Sequence, residues 1–176
     1  MDPHKNWRKL GSQVTMIRQI FADDLVFFKN IRLEALRSEP DAFCATLKDW
    51  QDLSDQQWLQ YIERSTMLIA FEQGNPVGMM ALFRETDTKR RHRASIKMVY
   101  LNKSQRGNGT ASAMLNCLID LARQQGVTHL DLKVNAANTS AVRFYQREKF
   151  EQVDYIAASM ISNGEVIDDM LMSRHI

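Results

Sequence analysis

The chain is expected to fold as a mixed α/β sheet in one domain, and three observations carry that expectation. Its hydrophobic pattern alternates between the twofold period of strands and the 3.6-fold period of helices, in the order β-α-α-β-β-β-α-β-α-β-β. Its length of 176 residues suits one sizeable core better than two. Its composition, 44% hydrophobic and 25% charged, is that of an ordinary globular chain. A net charge of +2 gives no electrostatic case for nucleic acid as a partner. No apolar window reaches the length of a membrane span, so no membrane partner is expected either.

The elements follow in chain order. Residues 1–12 are polar and irregular and read as a loose arm, ahead of a single domain over 13–176. Val14 and Met16 alternate with Gln13 and Thr15, and Ile17 follows, which predicts a short first strand. Asp23 or Asp24 is placed to cap a helix with Leu25, Phe28, Ile31 and Ala35 at helical spacing, ending near Pro40. Ser54 and Gln57 have the spacing of a capping box, and Trp58, Tyr61 and Ile62 mark one face of the second helix. Strands are predicted over Met67–Phe71 and Val77–Phe83, joined by the turn at Gly74. The basic run from Lys89 to Arg93 reads as a solvated connection, with a role toward an acidic partner left open.

A third strand of this group spans Ala94–Leu101. The helix after it carries Ala111, Met114, Leu115, Leu118 and Ala122 as a core stripe and ends at Gly126. His129–Val134 is the next strand, and Asn138 caps a short helix reaching Arg147. Strands over Phe150–Ala157 and Val166–Met172 close the chain around an Asn163-Gly164 turn. Cys44 and Cys117 are too few for a disulfide framework and read as buried thiols. No signal segment follows Lys5, Arg8 and Lys9, so a cytoplasmic protein is expected. The four histidines show no ligand spacing, and no metal is implied.

The junction Arg106-Gly107-Asn108-Gly109-Thr110-Ala111 is the most informative stretch. Small residues between a strand and a helix leave backbone N–H groups facing outward, and the helix adds roughly half a positive charge at its N-terminus. That combination binds phosphate. A P-loop string is absent. A dinucleotide fingerprint is only partly matched: Ser112 stands where its third glycine belongs, and Asp131 falls inside a strand instead of at its end.

The pattern Arg106-x-x-Gly109-x-Ala111 resembles the pyrophosphate-binding signature of the GNAT superfamily of acyl-CoA N-acyltransferases. Downstream, Asn138, Ala141, the pair Phe144-Tyr145 and Phe150 are similar to that family's second motif, and the resemblance covers Met67 to Met172. One departure is Lys149, where the family commonly has Gly; a lysine held at positive φ would be strained. The resemblance implies a mostly antiparallel, twisted sheet of roughly six to seven strands flanked by about four helices.

It also implies an N-acetyltransferase that takes acetyl from acetyl-CoA and passes it to a primary amine by direct attack. Backbone groups of Met98, Val99, Tyr100 and Leu101 would meet the pantetheine arm, where the family's strand splays from its neighbour at a bulge. The amides of Gly107, Asn108, Gly109, Thr110 and Ala111 would hold the pyrophosphate. Arg106 would add charge there or serve the fold, and Asn138 would reach the pantetheine, cap its helix, or both. Tyr145 is the catalytic candidate, as general acid to the departing thiolate, with a purely structural aromatic as the alternative. The base stays unassigned among Glu85, Asp87, His92 and a water chain. The acceptor is a small-molecule or peptide amine, and the acids Asp49, Asp52, Asp55, Glu165, Asp168 and Asp169 offer a weak lure for a cationic one. Family sheets often pair, which allows a homodimer. A non-catalytic acyl-CoA-binding module is the rival function.

Overall fold

The computed structural model describes residues 9–10 and 15–176. Its sheet has eight strands in the order β1-β2-β3-β4-β5-β6-β8-β7. They are β1 (Lys9–Leu10), β2 (Thr15–Gln19), β3 (Thr66–Glu72), β4 (Asn75–Arg84), β5 (Arg93–Leu101), β6 (His129–Asn135), β7 (Glu151–Ser162) and β8 (Glu165–His175). Every neighbouring pair is antiparallel except β5 and β6. The seven longer strands are those the sequence pattern implied, and the eighth is the two-residue β1. The remainder of the expected arm, 1–8 and 11–12, lies outside the described residues, as do positions 13 and 14 of the expected first strand.

Side chains of β3 divide by twos. Leu68 and Ala70 enter one buried cluster and Met67, Ile69 and Phe71 the other, which is why this strand reads as an unbroken apolar run. The first cluster lies under α4 (Thr110–Gln124) and α5 (Thr139–Arg147). The second lies under α1 (Leu25–Ser38), α2 (Leu47–Gln51) and α3 (Asp55–Glu63). The sheet is thus a middle layer with its last two helices on one side and its first three on the other. Helix α2 has no counterpart in the expected order. Its Trp50 fills the core against Phe28 and Trp58, with ring centroids 6.0 and 4.8 Å away.

Local chemistry explains the helix starts. Ser54 Oγ accepts from the Gln57 amide at 3.3 Å while Gln57 Oε1 accepts from the Ser54 amide at 2.9 Å, the expected capping box. Asp24 stands at the N-cap of α1 but gives it no side-chain hydrogen bond. Its carboxylate instead accepts from the Arg18 guanidinium at 2.7 and 2.8 Å and from the Phe21 amide at 3.1 Å. Neither thiol is fully buried: Cys44 is exposed in the irregular segment before α2, and Cys117 packs at the edge of a cluster. Among the described residues no helix is long and apolar enough to cross a membrane.

Candidate functional site

The one parallel neighbour pair among the described residues is also incomplete. β5 and β6 pair only through Arg93–His129, Ala94–Leu130 and Ser95–Asp131. Beyond that rung the strands part, and each goes on pairing only with its outer neighbour. A bulge lies across the opening: Met79 faces Tyr100 while Ala81 faces Lys97, so β5 holds an extra residue there. Met98 takes it up with φ +54°, in the left-handed region. From Met98 to Leu101 the β6-facing backbone groups of β5 therefore have no strand to bond to. The side chains alternate across the sheet, Val99 and Leu101 toward α4, Met98 and Tyr100 toward α1.

At the end of β5 the chain turns through Arg106–Gly109 into α4. Gly107 (φ +77°) and Gly109 (φ +89°) are both left-handed, a conformation that side-chain-bearing residues pay to adopt. The result is a row of outward amides. Those of Gly107, Asn108, Gly109, Ala111 and Ser112 have no protein partner among the described residues. The Thr110 amide does have one, Asn108 Oδ1 at 3.1 Å, so the side chain of Asn108 fixes the loop from within. No acidic residue occupies the first turn of α4, which leaves its positive end uncompensated on the helix itself. Arg106 is turned away: Nε donates to the Leu101 carbonyl at 2.9 Å and Nη2 to Glu39 at 2.8 Å, joining the loop to the end of α1.

Tyr145 lies on the α4 side, in the cluster whose rim holds Val99 and Leu101. Phe144 and Phe150 meet its ring edge-on at 5.1 and 5.7 Å. Among the described residues its hydroxyl has no hydrogen-bond partner. Burial alone pushes the phenol above its ordinary range, so it stays protonated at neutral pH. Asn138 caps α5, its Oδ1 accepting from the Ala141 amide at 3.1 Å and leaving the side-chain NH₂ over. Lys149 does sit at positive φ, +64°.

The other side of the opening was not legible from motifs. A cleft of about 470 Å³ lies there, between α1, the segment after it, and the parted strands. Arg32, Phe43, Lys97, Met98, Asp131 and Lys133 are among its walls. The acids proposed to draw a cationic amine are mostly occupied elsewhere. Asp49 closes the cap of α2, Asp55 pairs with Lys29, and Asp169 accepts from Ser159 at 2.6 Å. Asp168 and Glu165 line a separate cavity of about 570 Å³ beside the β7–β8 hairpin, where Asp168 accepts from Tyr155 at 2.6 Å. Trp58 is core, as aromatics at helical spacing usually are. Glu85, Asp87 and His92 belong to the β4–β5 connection at the paired end, so none of them faces the opening. Arg32 is the functional candidate that motif reasoning passed over. Its signal was a charge inside the apolar stripe of α1, four residues after Phe28 and three before Ala35.

Known proteins resemble this chain in sequence and in fold. The family model described as acetyltransferase (GNAT) family matches residues 29–150. An uncharacterised N-acetyltransferase of Methanocaldococcus jannaschii is 27% identical over 142 residues, covering 80% of this chain and 62% of that protein, so the chain spans less than two thirds of that relative. The L-amino acid N-acetyltransferase AaaT of Escherichia coli is 23% identical over 146 residues, covering 81% of this chain and 89% of that one. Among solved structures, yncA of Salmonella typhimurium with its cofactor acetyl-CoA superposes with a TM-score of 0.78 at 18% identity, covering 92% of this chain and 93% of that one.

Proposed function

Because the chain belongs to the GNAT acetyltransferase family, we propose that it is an N-acetyltransferase moving acetyl from acetyl-CoA to a primary amine. The observation that carries this is the conjunction of the parted β5–β6 pair with the partnerless amides at the start of α4. The diphosphate would lie on the amides of Gly107, Asn108, Gly109 and Ala111, with Ser112 added and Thr110 served instead by Asn108. The pantetheine would run along Met98–Leu101 as an added strand, delivering the thioester into the opening. Arg106 contributes indirectly, by holding the loop to Leu101 and Glu39. Asn138 offers its remaining NH₂ to the arm.

The acceptor nitrogen attacks the thioester carbon, a C–N bond forms, the C–S bond breaks, and the sulfur leaves as thiolate. The nitrogen gives up one proton and the sulfur gains one, so the products are an amide and the CoA thiol, with the Tyr145 hydroxyl donating toward the departing sulfur. With ordinary values, full transfer from a phenol to a thiolate is uphill by about 2 kcal/mol, and burial of Tyr145 raises the cost. Its hydroxyl is therefore best used as a hydrogen bond that strengthens as charge gathers on sulfur. Isothermal calorimetry on the purified chain tests the proposal. Acetyl-CoA should bind saturably and competitively with CoA, and no association would remove the assignment.

A further inference from the structure

Arg32 is 3% exposed, yet its guanidinium makes no hydrogen bond or ion pair among the described residues. Nε and Nη1 are both shielded and partnerless. Such groups are rare, because an unpaired buried charge has lost its water and gained nothing directional in return. What holds it is aromatic: the guanidinium carbon lies 4.8 Å from the Phe43 ring centroid and 4.3 Å from that of Trp50. Neither ring can accept a conventional hydrogen bond, so the N–H donors of the guanidinium remain unused. Desolvation lowers its pKa to about 10, so it is still cationic at neutral pH.

The cleft that Arg32 lines has a cationic surplus. Lys133 is exposed on β6, and Lys97 lies over the Phe83 ring at 5.2 Å. Among the described residues the one carboxylate in the wall, Asp131, is already used by Arg93 at 2.6 and 2.8 Å and by Ser173 at 2.7 Å. We propose that Arg32 is the receptor for a carboxylate on the acceptor, so that the amine acetylated here belongs to an amino acid. A carboxylate matches the guanidinium edge with two parallel hydrogen bonds, and about 470 Å³ suits a molecule of that size. Nε and Nη1 have no accessible surface as the chain stands, so seating it requires part of the cleft wall to shift. Phe43–Ala45, which forms part of that wall, carries no helix or strand. The inference rests on the acetyltransferase reading for the reaction, but not for the binding of the anion.

Two measurements test it. In the first, thiol release from acetyl-CoA is followed with each L-amino acid against the amine left by removing its carboxylate, such as L-leucine against 3-methylbutylamine. The native chain should favour at least one amino acid by about 10²-fold in kcat/KM, and Arg32→Met should erase that ratio while Arg32→Lys keeps part of it. Equal use of both acceptors, or an Arg32→Met variant that loses both in step, overturns the proposal. In the second, the melting temperature of the native chain is followed with N-acetyl-L-amino acids and their methyl esters. Stabilisation by an acid but not its ester is expected, and no difference overturns the inference whether or not the variants fold. Acetyl-CoA binding without any carboxylate preference would sink this inference alone. Carboxylate protection without acetyl-CoA binding would sink the acetyltransfer reading alone.

Discussion

The two sides of the β5–β6 opening are built from different materials. Toward α4 the chain presents backbone: unpaired strand edge, a glycine turn, and the amides at a helix start. Toward α1 it presents side chains: a guanidinium against two rings, two lysines and an exposed thiol. Backbone recognition needs small residues at fixed positions, so it leaves a pattern in the sequence. Side-chain recognition needs only that distant residues meet, which happens through the fold. The ion pair from Arg106 to Glu39 ties the two sides at their rim. Both partners are partly exposed, so that tie contributes little by itself.

The largest effect expected on the α4 side comes from Tyr145→Phe. Removing one hydroxyl from a ring that is otherwise packed between Phe144 and Phe150 keeps the core, so acetyl-CoA affinity should hardly move. Turnover should fall about 10²-fold or more if the hydroxyl serves the leaving sulfur. Steady-state kcat with a saturating acceptor reads the first, calorimetry the second. Unchanged kcat would make Tyr145 a structural residue and leave the opening without its acid.

Gly109→Val sharpens the contrast from the backbone side. At φ +89° a branched side chain is strained by about 1–3 kcal/mol, although the space around a new Cβ is open. The loop must either bear that strain or give up the arrangement of its amides. Acetyl-CoA should then bind about 10- to 100-fold more weakly, with little change in the melting temperature shift produced by an N-acetyl amino acid on the α1 side. Unaltered acetyl-CoA affinity would show that the glycine conformation is not what holds the cofactor.

How much could be read in advance follows the same division. The strand-turn-helix around Gly109, the cap at Ser54 and the hairpin at Gly164 all depend on residues close together in the chain, and all were legible. The split after Ser95–Asp131 was legible only through the family resemblance, since no local feature of β5 announces where β6 leaves it. Asp24 illustrates a local rule overridden: it had the right position for a cap, but Arg18 from β2 claimed its carboxylate. Arg32 shows the harder case. A lone arginine in an apolar stripe is visible, yet whether a partner reaches it depends on where Phe43 and Trp50 fold back.

The smallest effect concerns a turn where sequence and backbone disagree. Helices α4 and α5 end alike. Val127 donates to the Ala122 carbonyl at 3.0 Å past Gly126, and Phe150 donates to the Tyr145 carbonyl at 2.9 Å past Lys149. Both intervening residues are left-handed, at +76° and +64°, but only one is glycine. Lysine pays a steric cost there that glycine avoids, while glycine loses more chain entropy on folding. The steric term is the larger at this φ, so Lys149→Gly should stabilise the protein by roughly 1 kcal/mol in urea unfolding. Because that turn anchors the helix bearing Tyr145 without touching its hydroxyl, kcat should stay within about twofold of the native value. A destabilised Lys149→Gly would mean that the lysine side chain makes up its strain elsewhere, and that the departure from glycine is an adaptation of this chain.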